Sequence, residues 1–141
     1  MPNGLFDEFK NKSLGMLFGK RSELPDTIYI GLSTTSINAD GTGITEISGS
    51  GYERVAIINN STNWTEPLNE IVKNVNTITF NTSTSNWNEY NPYNGVLYAF
   101  FTTDPTETTG NLIGFCDITY KFIQSGTTLL IKSDKLTLSY A

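Results

Sequence analysis

The hydrophobic and polar positions at the start of the chain follow the period of an α-helix. The stretch "NGLFDEFKNKSLGMLFG", residues 3–19, places its large apolar side chains within about a third of a helical wheel. These side chains are Leu5, Phe6, Phe9, Met16 and Leu17. Asn3 suits the N-cap of such a helix and Gly19 suits its C-cap. The pattern therefore predicts one amphipathic helix over residues 3–19.

From Ile28 onward the period changes to that of short strands. Segments such as "TIYIGLS", "GVLYAFF" and "KLTLSYA" alternate apolar and polar residues or are continuously apolar. Turn clusters such as "NADGTG", "TDPTETTG" and "QSGT" separate these segments. About seven strands after one helix predict a mainly β chain, folded as an antiparallel β-sandwich or flattened barrel. We expect a helical arm over residues 1–24, a β-sandwich domain over 25–141, and an exposed loop over the Thr- and Asn-rich residues 59–76.

Composition narrows the classes of function. The chain has 141 residues, a formal net charge of −5, no histidine and one cysteine. Its Lys and Arg residues are scattered, whereas binding a nucleic acid needs a clustered basic face. Without histidine, Ser-His-Asp and Cys-His catalysis are impossible within the chain, and common metal sites lose their most frequent ligand. We predict no catalytic residue, no metal, no cofactor and no nucleic acid partner, and we interpret Cys116 as a small buried residue.

The chain also lacks the apolar segments that would indicate a membrane or an export signal. No run of residues approaches the roughly 20 apolar positions that span a bilayer. Asp7 and Glu8 interrupt the N-terminal segment, which therefore has no continuous apolar core of a secretory signal. We expect no membrane partner, and synthesis in a cytoplasm.

The stretch "EISGSGYERVAI", residues 46–57, has the glycine content of a phosphate-binding loop but not its pattern. A dinucleotide fingerprint needs three glycines before a helix, and a P-loop needs Gly-Lys-Ser/Thr, whereas a strand follows here. We interpret Gly49 and Gly51 as a tight turn at the entrance to that strand. Tyr52 and Arg54 share one face because side chains in a strand repeat every two residues. Arg54 is expected to stack on Tyr52 or to pair with a carboxylate of a neighbouring element, as a structural contact.

An aromatic group lies in the polar stretch "SNWNEYNPYNG". Trp87, Tyr90 and Tyr93 can form a sugar-binding platform, because flat rings stack on pyranose faces and neighbouring amides bind hydroxyls. Alternatively, Trp87 fills the end of the sandwich core while the two tyrosines cap it. The second interpretation needs no ligand, and the sequence favours it.

The order of these segments resembles that of small bacteriophage virion proteins commonly called phage tail fibre proteins. Their segments read Y-x-x-L-x-T-x-x-P, E-[VI]-S-G-x-x-Y-x-R and G-G-N-L. The matching residues here are Tyr29, Leu32 and Thr34, then Glu46, Ser48, Gly49, Tyr52 and Arg54, then Trp87 after the "ITF" strand, and finally Gly110, Asn111, Leu112 and Gly114. The chain departs from the family at two positions. The proline of the first segment is Ser36 or Ile37 here, and one of the two glycines of the G-G-N-L segment is Thr109. It also lacks the histidine of the family's usual V-T-H-x-G-I-x-D segment.

The resemblance implies a non-enzymatic structural protein of a tailed phage virion, associated with the tail or a tail fibre. It implies structural roles for Gly49, Gly51, Tyr52, Arg54, Trp87, Gly110, Asn111 and Gly114. Two alternatives stay open. One is a capsid decoration or head fibre protein, and the other is a carbohydrate-binding module that contacts the host surface through Trp87, Tyr90 and Tyr93.

The expected partners follow from the virion role. They are other virion proteins of the tail, the baseplate or the major capsid shell, further copies of the chain itself, and under the last alternative a glycan of the host surface. The expected assembly interface is the apolar stripe of the N-terminal helix: Leu5, Phe6, Phe9, Met16 and Leu17.

Overall fold

A computed structural model describes residues 3–20, 25–47, 50–87, 96–121 and 123–140 of the chain. Within these ranges the chain forms one α-helix and nine β-strands. In chain order they are β1 (Asn3–Leu5), α1 (Asp7–Leu17), β2 (Thr27–Ser33), β3 (Val55–Ile58), β4 (Ile71–Lys73), β5 (Ile78–Thr79), β6 (Val96–Thr102), β7 (Leu112–Lys121), β8 (Leu130–Ile131) and β9 (Thr137–Ser139). The prediction of a mainly β chain with one helix near its N-terminus is confirmed.

The strands pair antiparallel in three sheets. The central sheet has five strands in the order β1-β7-β6-β2-β3, and two further pairs are β4-β9 and β5-β8. On one face of the central sheet, Ile30 of β2 lies opposite Phe101 of β6. Both share a hydrophobic core with Ile78 of β5 and Ile131 of β8. The described strands are therefore packed antiparallel sheets, and not a single closed barrel.

The other face of the central sheet is covered by the segment between β2 and β3. Phe100 and Phe115 lie opposite each other on β6 and β7. They pack in a second core with Ile37 of this segment and with Phe6. Gly31 of β2 lies beside Phe100, and a Cβ atom at this position would come within 2.3 Å of the Phe100 ring. The glycine thus lets the ring lie against the strand backbone.

The helix begins at Asp7, and the prediction of a helix from Asn3 was wrong. Residues Asn3–Leu5 form β1, which pairs with β7. The N-cap is Phe6, and no side chain caps this end. Leu5 and Phe6 are buried at 4% and 0% exposure, in the two cores on either side of the central sheet. Burying these two large side chains outweighs helix propensity in a segment that Gly4 already weakens.

The helix ends at Leu17, close to the glycine predicted as its C-cap. Gly19 has a positive φ of 75°, and the Lys20 N–H donates to the Gly15 carbonyl at 2.7 Å. This geometry is that of a Schellman motif, in which glycine adopts the left-handed conformation without steric cost. The C-cap itself is Phe18, so Gly19 lies one residue beyond its predicted position, at C′, where this motif favours glycine.

Two further predictions concern the extent of the β-domain. The segment 59–76 was predicted as a loop, but Ile71–Lys73 within it form β4 and pair with β9. The predicted boundary between an arm and a β-domain lies within residues 21–24, outside the described residues. It stays a prediction, although β1 connects the N-terminal segment to the central sheet.

Candidate functional site

The segment "EISGSGYERVAI", residues 46–57, forms the last part of the connection between β2 and β3 and the first three residues of β3. Ser48 and Gly49 lie outside the described residues. Gly51 has a φ of +81°, and a Cβ atom there would lie 3.1 Å from the Thr82 carbonyl oxygen. The positive φ and the close approach both favour glycine at this position. The next residues, Tyr52–Arg54, run up to the first residue of β3.

Arg54 places its guanidinium in the interior, where all five of its N–H groups donate to this chain. Its side chain is 1% exposed and forms a two-point ion pair with Glu46, with Nε to Oε2 at 2.8 Å and Nη2 to Oε1 at 2.7 Å. The other N–H groups donate to the carbonyls of Asp104 at 2.7 Å, Thr106 at 3.0 Å and Glu107 at 3.0 Å. Every donor of the guanidinium is thus used inside the molecule.

The surroundings of Arg54 keep it charged. Burial by itself lowers the pKa of the guanidinium, but the hydrogen bonds and the charge of Glu46 raise that pKa overall. The guanidinium carbon also lies 5.2 Å from the centre of the Phe100 ring, a cation–π distance. We call Glu46, Tyr52, Arg54 and the carbonyls of residues 104, 106 and 107 the Arg54 cluster. It joins the β2–β3 segment to the loop between β6 and β7.

Asp104 shapes the loop that receives Arg54. Its carboxylate accepts the N–H groups of Glu107 at 2.7 Å and Thr106 at 2.9 Å, and these bonds lower the pKa of the carboxyl group. The side chain closes a turn in which three carbonyl groups converge on the guanidinium. The acidic residue thus acts through the backbone of its own loop.

Tyr52 lies three residues before β3, and its side chain continues the hydrogen bonding of β2 past the first residue of that strand. Its hydroxyl accepts the N–H of Leu32 at 2.9 Å and donates to Glu46 Oε2 at 2.6 Å. Burial first, and then the negative charge of Glu46, raise the pKa of the phenol. The hydroxyl therefore stays protonated at neutral pH and serves as a donor and an acceptor at once.

Replacing Tyr52 by phenylalanine is expected to lower the free energy of unfolding by about 1–2 kcal/mol. The ring keeps its packing, but the Leu32 N–H and one oxygen of Glu46 lose a buried partner. Urea denaturation measures this change. Tyr140→Phe is the matched control, because Tyr140 is 61% exposed and its change should stay within about 0.5 kcal/mol. Equal midpoints for the two variants would contradict the proposed role of the hydroxyl.

Trp87 lies beside this cluster and is 7% exposed. Its ring packs edge-on against Tyr52, with centroids 5.5 Å apart, and against Phe80 at 6.5 Å. Its Nε1–H donates to the Ser50 carbonyl at 2.9 Å, and its backbone N–H donates to the Ile123 carbonyl at 3.0 Å. A ring this buried presents no face to a sugar, so the suggested glycan contact through Trp87 was wrong. Tyr90 and Tyr93 lie outside the described residues.

The third motif forms the end of the loop between β6 and β7. Gly110 has a φ of +78°, and Asn111 exchanges backbone contacts with this loop, accepting the Thr103 N–H at 2.9 Å. Gly114 lies in β7 opposite Leu5, where a Cβ atom would come within 2.8 Å of the Gly4 carbonyl oxygen. The absence of a side chain at Gly114 thus leaves room for β1.

The predicted interface stripe does not form one exposed surface. Leu5 and Phe6 are buried and not helical, which corrects their assignment to a contact surface. Phe9 is partly buried against the main core, Met16 is partly exposed, and Leu17 is 74% exposed. Leu14 and Phe18 were not predicted as surface residues, although they are 53% and 71% exposed. They are four residues apart, which places them on one side of the helix, but the sequence carries no signal for their exposure.

The described part of the chain contains neither a cluster of metal ligands nor a membrane-spanning helix. Among those residues, no group of three or more His, Cys, Asp or Glu side chains is placed to hold a metal ion. In the same ranges no helix has the length and apolar character to cross a membrane. Cys116 is a buried free cysteine, as predicted.

These contacts define a mainly antiparallel β protein in which the buried arginine connects segments of its own chain. The chain belongs to the family of the podophage GP4 fiber I protein gp80, which matches residues 4–139. No curated protein matches the chain. The family supports the resemblance to phage fibre proteins and a structural role in the virion.

Proposed function

We propose that the chain is a non-catalytic structural subunit of a fibre on the tail of a tailed phage particle. The observation that carries this proposal is the match to a fibre protein family over residues 4–139 of 141. The internal chemistry supports it, because the buried guanidinium of Arg54 spends every donor on its own chain. The guanidinium therefore has no N–H group left to bind a substrate.

Tail and capsid placement make different predictions for the intact particle. Antibodies raised against the purified chain and labelled with gold should bind purified virions at the tail. Quantitative mass spectrometry should give a copy number on the scale of the other tail proteins. Gold spread over the capsid shell, with a copy number close to that of the major capsid protein, would show a decoration protein instead. If neither method detects the chain in purified virions, the proposed structural role is wrong.

A further inference from the structure

The end of the helix carries an apolar surface that the chain leaves exposed. Leu14, Leu17 and Phe18 are 53%, 74% and 71% exposed. Their spacing of three and four residues places them on one side of the helix. We call these three residues the helix end patch. The exposed Lys20 follows it directly and adds a positive charge to its border.

An apolar groove lies on one face of the paired strands β4 and β9, beside β1. Its volume is about 230 Å³. It is lined by Leu5, Pro67, Glu70, Val72, Leu138 and Tyr140. We call it the β4–β9 groove. It is smaller than the roughly 300–1,000 Å³ of sites for small-molecule ligands, and it therefore suits inserted side chains. Glu70 gives its border a negative charge.

The chain cannot fill this groove with its own helix end patch. Leu5 lines the groove, and the helix begins two residues later at Asp7. The 11 residues of the helix extend for about 16 Å at 1.5 Å per residue. The patch starts at Leu14, about 10 Å along the helix from Asp7, and none of its three residues lines the groove. Patch and groove of one copy are therefore separate surfaces, and a second molecule can bring them together.

We propose that the helix end patch of one copy inserts into the β4–β9 groove of the next copy. Lys20 then approaches Glu70, so the borders of the two surfaces carry opposite charges as well as matching apolar centres. Because patch and groove are different surfaces, the contact is head-to-tail and builds a ring or a filament. This inference deepens the structural role proposed above, but its test uses only the purified chain, so either proposal can fail alone.

Sedimentation velocity over a range of concentrations tests the contact. The wild-type chain should form larger species as its concentration rises. The patch variant, Leu17→Glu with Phe18→Glu, and the groove variant, Tyr140→Glu, should both stay monomeric. Each affected side chain is more than half exposed, at 74%, 71% and 61%, so these variants should fold. Truncation of a central contact residue weakens a typical interface about tenfold or more, and an inserted charge should exceed that.

Mixing the two variants distinguishes a head-to-tail contact from a symmetric one. The patch variant keeps an intact groove and the groove variant keeps an intact patch, so the mixture should form a one-to-one complex and nothing larger. If both variants stay monomeric in the mixture, the head-to-tail contact is wrong. A wild-type chain that is monomeric at every concentration overturns the proposal entirely.

Two controls complete the experiment. Ile58→Glu introduces the same charge at another exposed apolar position, 63% exposed on β3, and should assemble like the wild type. Lys20→Glu should weaken assembly, and adding Glu70→Lys to it should restore assembly. If circular dichroism shows that the patch variant has unfolded, the pair Lys20→Glu and Lys20→Glu with Glu70→Lys still tests the contact. Loss of assembly in Ile58→Glu, or no effect of Lys20→Glu, counts against the patch and its charge pairing.

Discussion

Replacing Arg54 by methionine is expected to lower the free energy of unfolding by about 3–4 kcal/mol. Methionine retains an apolar stem but donates no hydrogen bond. The Glu46 carboxylate and three loop carbonyls then lose their partner in a largely buried cluster. An unpaired buried charge costs more than the intact pair contributes. The lower part of the usual range applies because the Glu46 side chain is 22% exposed and keeps some hydration.

Urea and thermal denaturation measure this loss, and the melting temperature should fall by roughly 10 °C. The control is the same kind of change at an exposed ion pair. Lys10 lies 4.0 Å from Asp7, with the two side chains 43% and 61% exposed, and Lys10→Met should cost no more than about 0.5 kcal/mol. Equal losses of unfolding free energy in Arg54→Met and Lys10→Met would show that the Arg54 cluster stabilises the fold no more than an exposed ion pair does.

A double-mutant cycle separates the ion pair from the loop contacts. Glu46→Gln alone removes the charge of the acceptor, and after Arg54→Met the same change should add little. The coupling energy between the two positions then reports the ion pair, since the loop carbonyls are affected only by the change at Arg54. Purely additive effects would mean that the stabilisation comes from the contacts with residues 104–107 alone.

The strands with strong local patterns were predictable from the sequence. β2 covers Thr27–Ser33, which is the segment "TIYIGLS", because Ile28, Ile30 and Leu32 alternate onto the face that packs in the main core. β1 was missed because three residues carry no periodicity, and its partner Gly114 lies far along the chain. The same holds for the three residues of β4 within a polar segment. In both cases tertiary pairing, and not local preference, decides the structure.

The sequence predicted only some of the partners of Arg54. A carboxylate partner was one of two expected options, and that partner is Glu46, which lies eight residues earlier in the chain and forms the two-point ion pair in the folded protein. The three carbonyl partners had no signal, because a backbone carbonyl carries no residue identity. They reach the guanidinium through the turn that Asp104 closes. The sequence alone could not place that turn beside β3.

In the N-terminal segment, the helical spacing of apolar residues correctly predicted a helix but wrongly predicted its exposed surface. The stripe from Leu5 to Leu17 satisfies helical spacing, yet its first two members lie in the cores of the sheet. An apolar residue before a helix is equally suited to a strand, and spacing cannot distinguish the two. Exposure then depends on which face meets β7, so Leu14 and Phe18 became visible only in the folded chain.

Replacing Trp87 by alanine is expected to lower the free energy of unfolding by about 3–5 kcal/mol, the usual cost of removing a large buried ring. The change opens a cavity between Tyr52 and Phe80. It also removes one of the two donors to the Ser50 carbonyl, which keeps the N–H of Thr84 at 2.9 Å. The turn around Gly51 should therefore loosen together with the core, and the Arg54 cluster, which shares Tyr52, should loosen with it.

Phe18→Ala is the matched control, since Phe18 is also aromatic but 71% exposed. Both variants are measured at a protein concentration at which the wild-type chain is monomeric, so that the proposed contact between copies does not affect the comparison. It should change the free energy of unfolding by no more than about 0.5 kcal/mol, measured by the same urea denaturation. The comparison also bears on function. Any loss of glycan binding in Trp87→Ala should follow the loss of folded protein, and Trp87→Phe, which keeps most of the packing, should behave close to the wild type. A Trp87→Ala variant that unfolds at the wild-type midpoint would contradict the core role and reopen a surface role for this ring.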